Sequence, residues 1–332
     1  MYQSVHKDLG LYYAAIIADS ITKFGHRLTT FVLRLPKFIV AEFNTHRLLS
    51  RNSASSRAIP FKTNVKNIIA SSFIPDRFPK NHSGMSQKDP SAWYFADTPE
   101  YELLKNKWFE ARNFAIEFAT ELNSMIEEKD KNGKIIQNGV SKQIVNRILE
   151  PWMWTTIIVS ATEWSNFLAL RNSEHAQREI MIPAQLIAEC MAESTPILLE
   201  GGQWHIPFGD KIDLQRIESE RQLLFPDDLI ELSITREMIA RMIAIARCAR
   251  VSYHEFDGTD SYLKDLELYN RLKDQGHWSP FEHVAQAMTD EQYQDSVRKE
   301  FNFTEAQYGW CGNFRGFIQA RKMFPQSQEN IV

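Results

Sequence analysis

Apolar and polar positions along the chain fall into blocks of different period. Residues 11–43 hold two strongly apolar runs, YYAAIIADSI and LTTFVLRLPKFIVAEF, split by the turn-like Lys23, Phe24, Gly25 and His26. Their β-branched and aromatic content predicts two strands. Pro36 cannot donate to a sheet ladder, so a bulge or an edge is expected there. From residue 99 to 128 the period becomes helical, with Leu103, Trp108, Ala111, Phe114, Ala115 and Phe118 spaced for one face, which predicts a core helix ending near DKNG at 130–133. Further helices are expected from Ser141, over 166–180, over 182–199, over 235–250 and over 263–272. Residues 61–100, rich in Pro, Ser, Asn and Lys, read as a long surface excursion.

One stretch has almost no apolar surface to bury. Residues 44–60, NTHRLLSRNSASSRAIP, pack three arginines, a histidine, two asparagines and four serines into the end of a predicted strand. Arg47, Arg51 and Arg57 can each grip a phosphate or carboxylate through paired donors, with serine hydroxyls and free N–H groups completing a cradle. A solvated, serine-rich turn carrying a helix cap explains the same composition.

Composition narrows the choice. A chain of 332 residues with 43% hydrophobic content can bury a sizeable core. A net charge of -4 offers no basic footprint for duplex nucleic acid, so a nucleotide ligand would be small. Cys190, Cys248 and Cys311 are widely spaced and form no C-x-x-C pair, which suggests neither disulfides nor a metal site and fits a reducing cytoplasm. MYQSVHKDLGLYYAAIIADS shows no basic stretch leading into a long apolar core and no run approaches a membrane span, so a soluble, unexported protein is expected.

The polar stretch resembles the signature of the flavin-dependent thymidylate synthases: arginine, histidine, arginine, seven residues, serine. Here it stands as Thr45, His46 and Arg47, seven residues, Ser55, then Arg57. The first arginine is replaced by Thr45, and the family's Asn-Glu pair appears as Asn52 and Ser53. The run NFLALRNSEHAQREI over 166–180 is similar to the family's N-F-L-x-L-R, three residues, H-A-Q-x-E-I almost throughout. The family's preceding Asn-Ala-Arg is Ser160, Ala161 and Thr162. Arg147 keeps the family's spacing to a proline.

Two more motifs come late in the chain. Residues 249–253, ARVSY, and 276–283, GHWSPFEH, resemble family motifs that precede the signature, whereas here they follow it by about two hundred residues. The order looks circularly permuted, a rearrangement tolerated where termini are close and the cut is exposed. The resemblance thus implies a core over 1–235 and a segment over 236–332 that completes the same domain. The closing GNFRGFIQARK, with Arg315, Arg321 and Lys322, reads as a degenerate echo of the signature strand or, by preference, as a solvated terminal strand.

The resemblance implies an α/β (α+β) fold, a twisted, mainly antiparallel sheet flanked by helices, assembled as a homotetramer. It implies reductive methylation of dUMP to dTMP with FAD, methylenetetrahydrofolate and NADPH, and no metal. It assigns Arg171 to the reacting pyrimidine and Glu42, Ser53, Ser55, Arg57 and Arg147 to the nucleotide. His46, Arg47, Asn166, His175, Ser252, His277, Ser279 and Glu282 fall to the cofactor. An arginine against the pyrimidine edge would stabilise the anion that develops there, and no cysteine nucleophile is needed. The lost arginine and glutamate leave open a related one-carbon transfer, such as hydroxymethylation of another deoxypyrimidine monophosphate. A nucleotide-binding homologue without turnover is the reading from outside enzymology.

Overall fold

The computed structural model describes residues 5–83, 89–225, 234–250, 260–296 and 308–325. Its largest sheet has six strands: β1 (His6–Leu9), β2 (Tyr12–Thr22), β3 (Arg27–Pro36), β4 (Ser50–Ser53), β5 (Trp154–Ala161) and β6 (Ile197–Leu199). The order is β1-β2-β3-β5-β4, antiparallel throughout, with β6 added to β2 in parallel. The fold is therefore mixed helix and mainly antiparallel sheet. The β2–β3 hairpin closes where Gly25 takes φ +82°, a conformation that glycine adopts without steric cost.

Alternation of side chains gives the sheet two different faces. On one, Ile16, Phe31, Leu33, Leu35, Ile157 and Val159 pack against α4 (Ser165–Arg171) and α5 (Arg178–Glu193) through Phe167, Ile180, Leu186 and Ile187. Each such side chain removed from water contributes about 1.5–3 kcal/mol. This is the main core.

The other face is only partly covered. Ile17 and Ile158 meet Phe208 and Cys248, the latter on α7 (Arg236–Arg250). Phe208 sits at φ +60°, an unusual state for a bulky residue, held by its N–H to the Ile17 carbonyl at 3.0 Å. A second core joins α6 (Leu214–Leu224), α7 and α8 (Tyr262–Asp274) around Ile243, Tyr262, Leu272 and Phe281. A three-stranded sheet, β7 (Trp204–His205), β8 (Ala285–Ala287) and β9 (Phe317–Gln319), is tied to Leu28 of β3 through Ala285, Phe314 and Phe317. A third cluster lies between α1 (Phe61–Ala70), α2 (Pro99–Ser124) and α3 (Lys142–Ile148). Among the described residues no helix is long and apolar enough to cross a membrane.

Several expectations are corrected. Pro36 is the last residue of β3, paired with Trp154, and the chain then coils through short helical turns to Phe43; the sheet's irregularity lies in β2 between Ile16 and Ala18. Residues 61–70 form a helix whose Phe61, Asn64 and Ile68 are buried, and Phe73 is buried beyond it, so 61–100 is no uniform surface excursion. Helix α2 ends at Ser124, and a hairpin, Ile126–Lys129 with Ile135–Asn138, turns over DKNG. Only part of the expected face is buried: Trp108 and Ala115 pack with Trp152 in the third cluster, whereas Leu103, Phe114 and Phe118 are 62%, 69% and 53% exposed. The helix expected over 166–180 breaks after Arg171. The one expected over 182–199 runs from Arg178 to Glu193, and its last predicted residues belong to β6.

Candidate functional site

The signature stretch straddles β4, and its beginning meets the end of the chain. Arg47, Arg51, Ser279, Glu282, Arg321 and Lys322 line a cavity of about 480 Å³, with Asn313 and Gln319 on its wall. Ser50 anchors this junction: Asn313 Nδ2 and Gln319 Nε2 donate to its Oγ at 2.9 and 3.0 Å. Below it, Asn52 Nδ2 donates to the Cys248 carbonyl at 2.7 Å. Four cationic side chains share the cavity with one carboxylate, Glu282, whose Oε1 accepts from Arg321 Nη1 at 2.5 Å. The surplus of positive charge favours an anionic, phosphate-bearing ligand.

At the rim, Arg51 Nη1 donates to the His46 carbonyl at 2.7 Å, and the His46 ring stands edge-on to Phe167 at 4.9 Å. Arg171 Nε donates to His46 Nε2 at 2.9 Å, which requires a neutral imidazole with its proton on Nδ1. Burial first, then the charges of Arg171 and Arg51, hold the His46 pKa below its ordinary value, which favours the neutral ring that this contact needs. Burial likewise lowers the Arg51 pKa, as does Arg47, with Glu282 opposing.

The structure brings Arg47, Ser279 and Glu282 to one cavity, and His46 to Arg171. The other predicted site residues lie apart from these contacts. Ser55 is half-buried and Arg57 exposed beyond the far end of β4, while Arg147 sits 3.5 Å from Glu150, which also accepts from Ser56 Oγ at 2.6 Å. Ser53 closes β4 opposite Ile157. Glu42, Asn166, His175 and His277 are exposed, and His175 follows the break after α4. Ser252 lies outside the described residues, as does most of ARVSY.

Beneath the cavity runs a buried polar chain. Ser20 Oγ, His205 Nδ1 and Nε2, Thr30 Oγ1, Ser160 Oγ and His283 Nδ1 follow one another at 2.9, 2.8, 2.6 and 2.8 Å. It links β2, β3 and β5 to the short sheet and to the last residue of the SPFEH motif. Burial pushes the pKa of both histidines down to about 3, so they are neutral.

Arg321 and Lys322 were expected on a solvated strand rather than in the cavity, and Asn313 and Gln319 were not singled out at all. The closing strand is not solvated: Phe314, Phe317 and Gln319 are buried, and Arg321 pairs with Glu282. The two aromatic residues Phe314 and Phe317 were the available signal that this stretch is buried.

A family model described as thymidylate synthase complementing protein matches residues 14–197. The chain is similar to the flavin-dependent thymidylate synthase of Thermosipho africanus, 29% identical over 196 residues that cover 58% of this chain and 76% of the relative. It is also similar to that of Tropheryma whipplei, 26% identical over 195 residues, 55% of this chain and 72% of the relative. Among solved structures it is similar to a UMP/dUMP methylase from Streptomyces cacaoi bound with 5-Br dUMP, at 20% identity and a TM-score of 0.38, covering 52% of this chain and 69% of the other.

Proposed function

Because the chain belongs to the thymidylate synthase complementing protein family, we propose that it is a thymidylate synthase that methylates C5 of dUMP reductively, with methylenetetrahydrofolate as the carbon source and NADPH as reductant. The observation that carries the reading is the meeting of Arg47 from the signature with Ser279 and Glu282 of SPFEH in one cationic cavity, although more than two hundred residues separate them. That meeting also supports the permuted motif order and the completion of one domain by the segment from 236 onward. The cavity's donors suit the phosphates of FAD, which when bound would supply the hydride.

The chain's own groups would do the rest. Arg47 and Arg51 would hold phosphate oxygens, with Ser279 donating a hydroxyl. Arg171, oriented by His46, would face the pyrimidine and stabilise negative charge developing on its carbonyl edge. Ser53, Ser55, Arg57 and Arg147, with Glu42, would bind the nucleotide, the arginines at its phosphate. His46, Asn166, His175, Ser252, His277 and Glu282 would line the cofactor. The exposed apolar stripe of Leu103, Phe114 and Phe118 supports association between copies of the chain, the resemblance makes that assembly a homotetramer, and the composition supports a cytoplasmic setting.

Thr45 and Ser53, standing where the family has arginine and glutamate, favour as second reading a related one-carbon transfer to another deoxypyrimidine monophosphate. Anaerobic turnover with dUMP and dCMP, read by mass spectrometry, decides. A gain of one methyl on dUMP supports the first reading. A hydroxymethyl product or sole use of dCMP supports the second, and no product from a flavin-loaded protein overturns both.

A further inference from the structure

A second cavity opens at the other end of β4. It measures about 340 Å³ and is bounded by Arg34 and Lys37 of the β3 end, residues 54–59 after β4, the α1 end and residues 152–156. Neither Arg57 nor Arg147 belongs to its lining. We propose that this cavity is a binding site for a small anion, a phosphate or carboxylate group held between Arg34 and Lys37. The inference is independent of the methylation chemistry.

Charge accounting is the first support. Among the described residues no carboxylate comes within 4 Å of Arg34 or Lys37, unlike Arg321 in the other cavity. Lys37 Nζ donates to the Ala54 carbonyl at 2.8 Å, which uses one of its three protons, and the Arg34 guanidinium lies 5.6 Å from the Trp154 ring centroid. Both side chains are half-buried and, among the described residues, neither is in an ion pair, so an anion bound between them would offset the cost of their partial desolvation. Burial accordingly lowers the pKa of each.

The acids that face the pair are already engaged or distant. Glu150 is the carboxylate that raises the Lys37 pKa, and it accepts from Ser56 and pairs with Arg147. Asp8 and Asp210 stand with Lys211 in an adjoining cavity of about 420 Å³ that Arg34 also lines, neither within ion-pair distance of it. The walls supply the remainder of a site. Asn67, Ser71 and Thr155 offer polar groups, and Trp152 and Ile68 an apolar slot beside the cations, so an anion carried on a flat body fits.

The free phosphate ion and the phosphate of a nucleotide share this chemistry, and amine-reactivity footprinting separates them. The full-length protein is treated with acetic anhydride, and acetylation of Lys37 is followed by peptide mass spectrometry with inorganic phosphate, dUMP or deoxyuridine present. At about ten times its dissociation constant a bound anion slows Lys37 acetylation about tenfold by mass action. Protection by phosphate and dUMP identifies a site for the ion itself. Protection by dUMP alone makes the nucleotide its source. Arg34→Gln should abolish the protection and Arg34→Lys should keep it, while Arg51→Ala, in the other cavity, should leave it intact even if it ends methylation. Equal protection by deoxyuridine, no protection by any probe, or protection that rises with protein concentration alone overturns the proposal; the last outcome would mean that a second chain covers the cavity.

Discussion

The two cationic cavities sit at opposite ends of one four-residue strand, roughly 10 Å apart along it, and they treat charge differently. Around Arg47 the cations are drawn from both ends of the chain and one of them, Arg321, is neutralised by Glu282. Around Lys37 every lining residue comes from 34–71 and 152–156, and among the described residues neither Arg34 nor Lys37 has a carboxylate within 4 Å. A charge set that includes its own counter-ion can be preorganised before a ligand arrives. A set without one is stabilised by whatever anion enters. The first cavity therefore depends on how the C-terminal half docks, and the second on the main sheet and α1 alone.

Substitutions and pH can break or sharpen that contrast. The largest effect is expected at Arg171, which is held by His46 next to Arg47 of the first cavity. Arg171→Ala should slow dUMP methylation by roughly a hundredfold or more while shifting the unfolding free energy by less than about 1 kcal/mol. Steady-state rates and chemical denaturation check both, and unchanged turnover would remove Arg171 from the reaction.

Next come the arginines beyond the end of β4. Arg57→Ala or Arg147→Ala should weaken dUMP binding by about 1.5–3 kcal/mol, the range of a charge-assisted hydrogen bond, with deoxyuridine nearly indifferent. Calorimetric titration measures it. Equal losses for nucleoside and nucleotide would show that these arginines do not read the phosphate.

The buried chain under the first cavity should respond through stability. Ser160→Ala leaves His283 Nδ1 without its partner and should cost about 1–3 kcal/mol in a denaturant melt. A neutral result would mean that the site relaxes or admits water.

The smallest effect per unit is a pH slope. An unfolded imidazole titrates near 6.5, whereas folded His205 and His283 do so at about 3. The unfolded chain thus binds protons that the native state excludes. Stability should be full above about pH 6.5 and decline as pH falls toward 3, by up to about 1.4 kcal/mol per pH unit for each histidine. Unfolding midpoints at pH 7.5 and 5.5 test the sign, and equal midpoints would mean that the histidines titrate normally.

Legibility in the sequence followed the range of the forces involved. The strands β2 and β3 and the helices α3, α7 and α8 were visible because their periods are local, as was the cationic character of residues 44–60. The α1 helix was overlooked since the Pro- and Ser-rich composition beyond it masked Phe61, Val65 and Ile68 at helical spacing. The burial side of α2 could not be read from its own period, because Leu103, Phe114 and Phe118 are as apolar as the positions that α3 and Trp152 cover.

What the residues by themselves determined is the pair of strands β2 and β3, the helices α3, α7 and α8, the cationic character of the signature stretch and, through four motifs, the family. Tertiary structure alone decided that Arg321 and Lys322 join Arg47 in one cavity, that Ser50 is clasped by Asn313 and Gln319, and that Arg34 and Lys37 share a cavity with no ion pair to either among the described residues. The physical reason is that periodicity and capping act over a few residues. Pairing of charges and burial of hydroxyls depend on which distant surfaces meet, and here β9 meets β4 across more than 260 positions of chain.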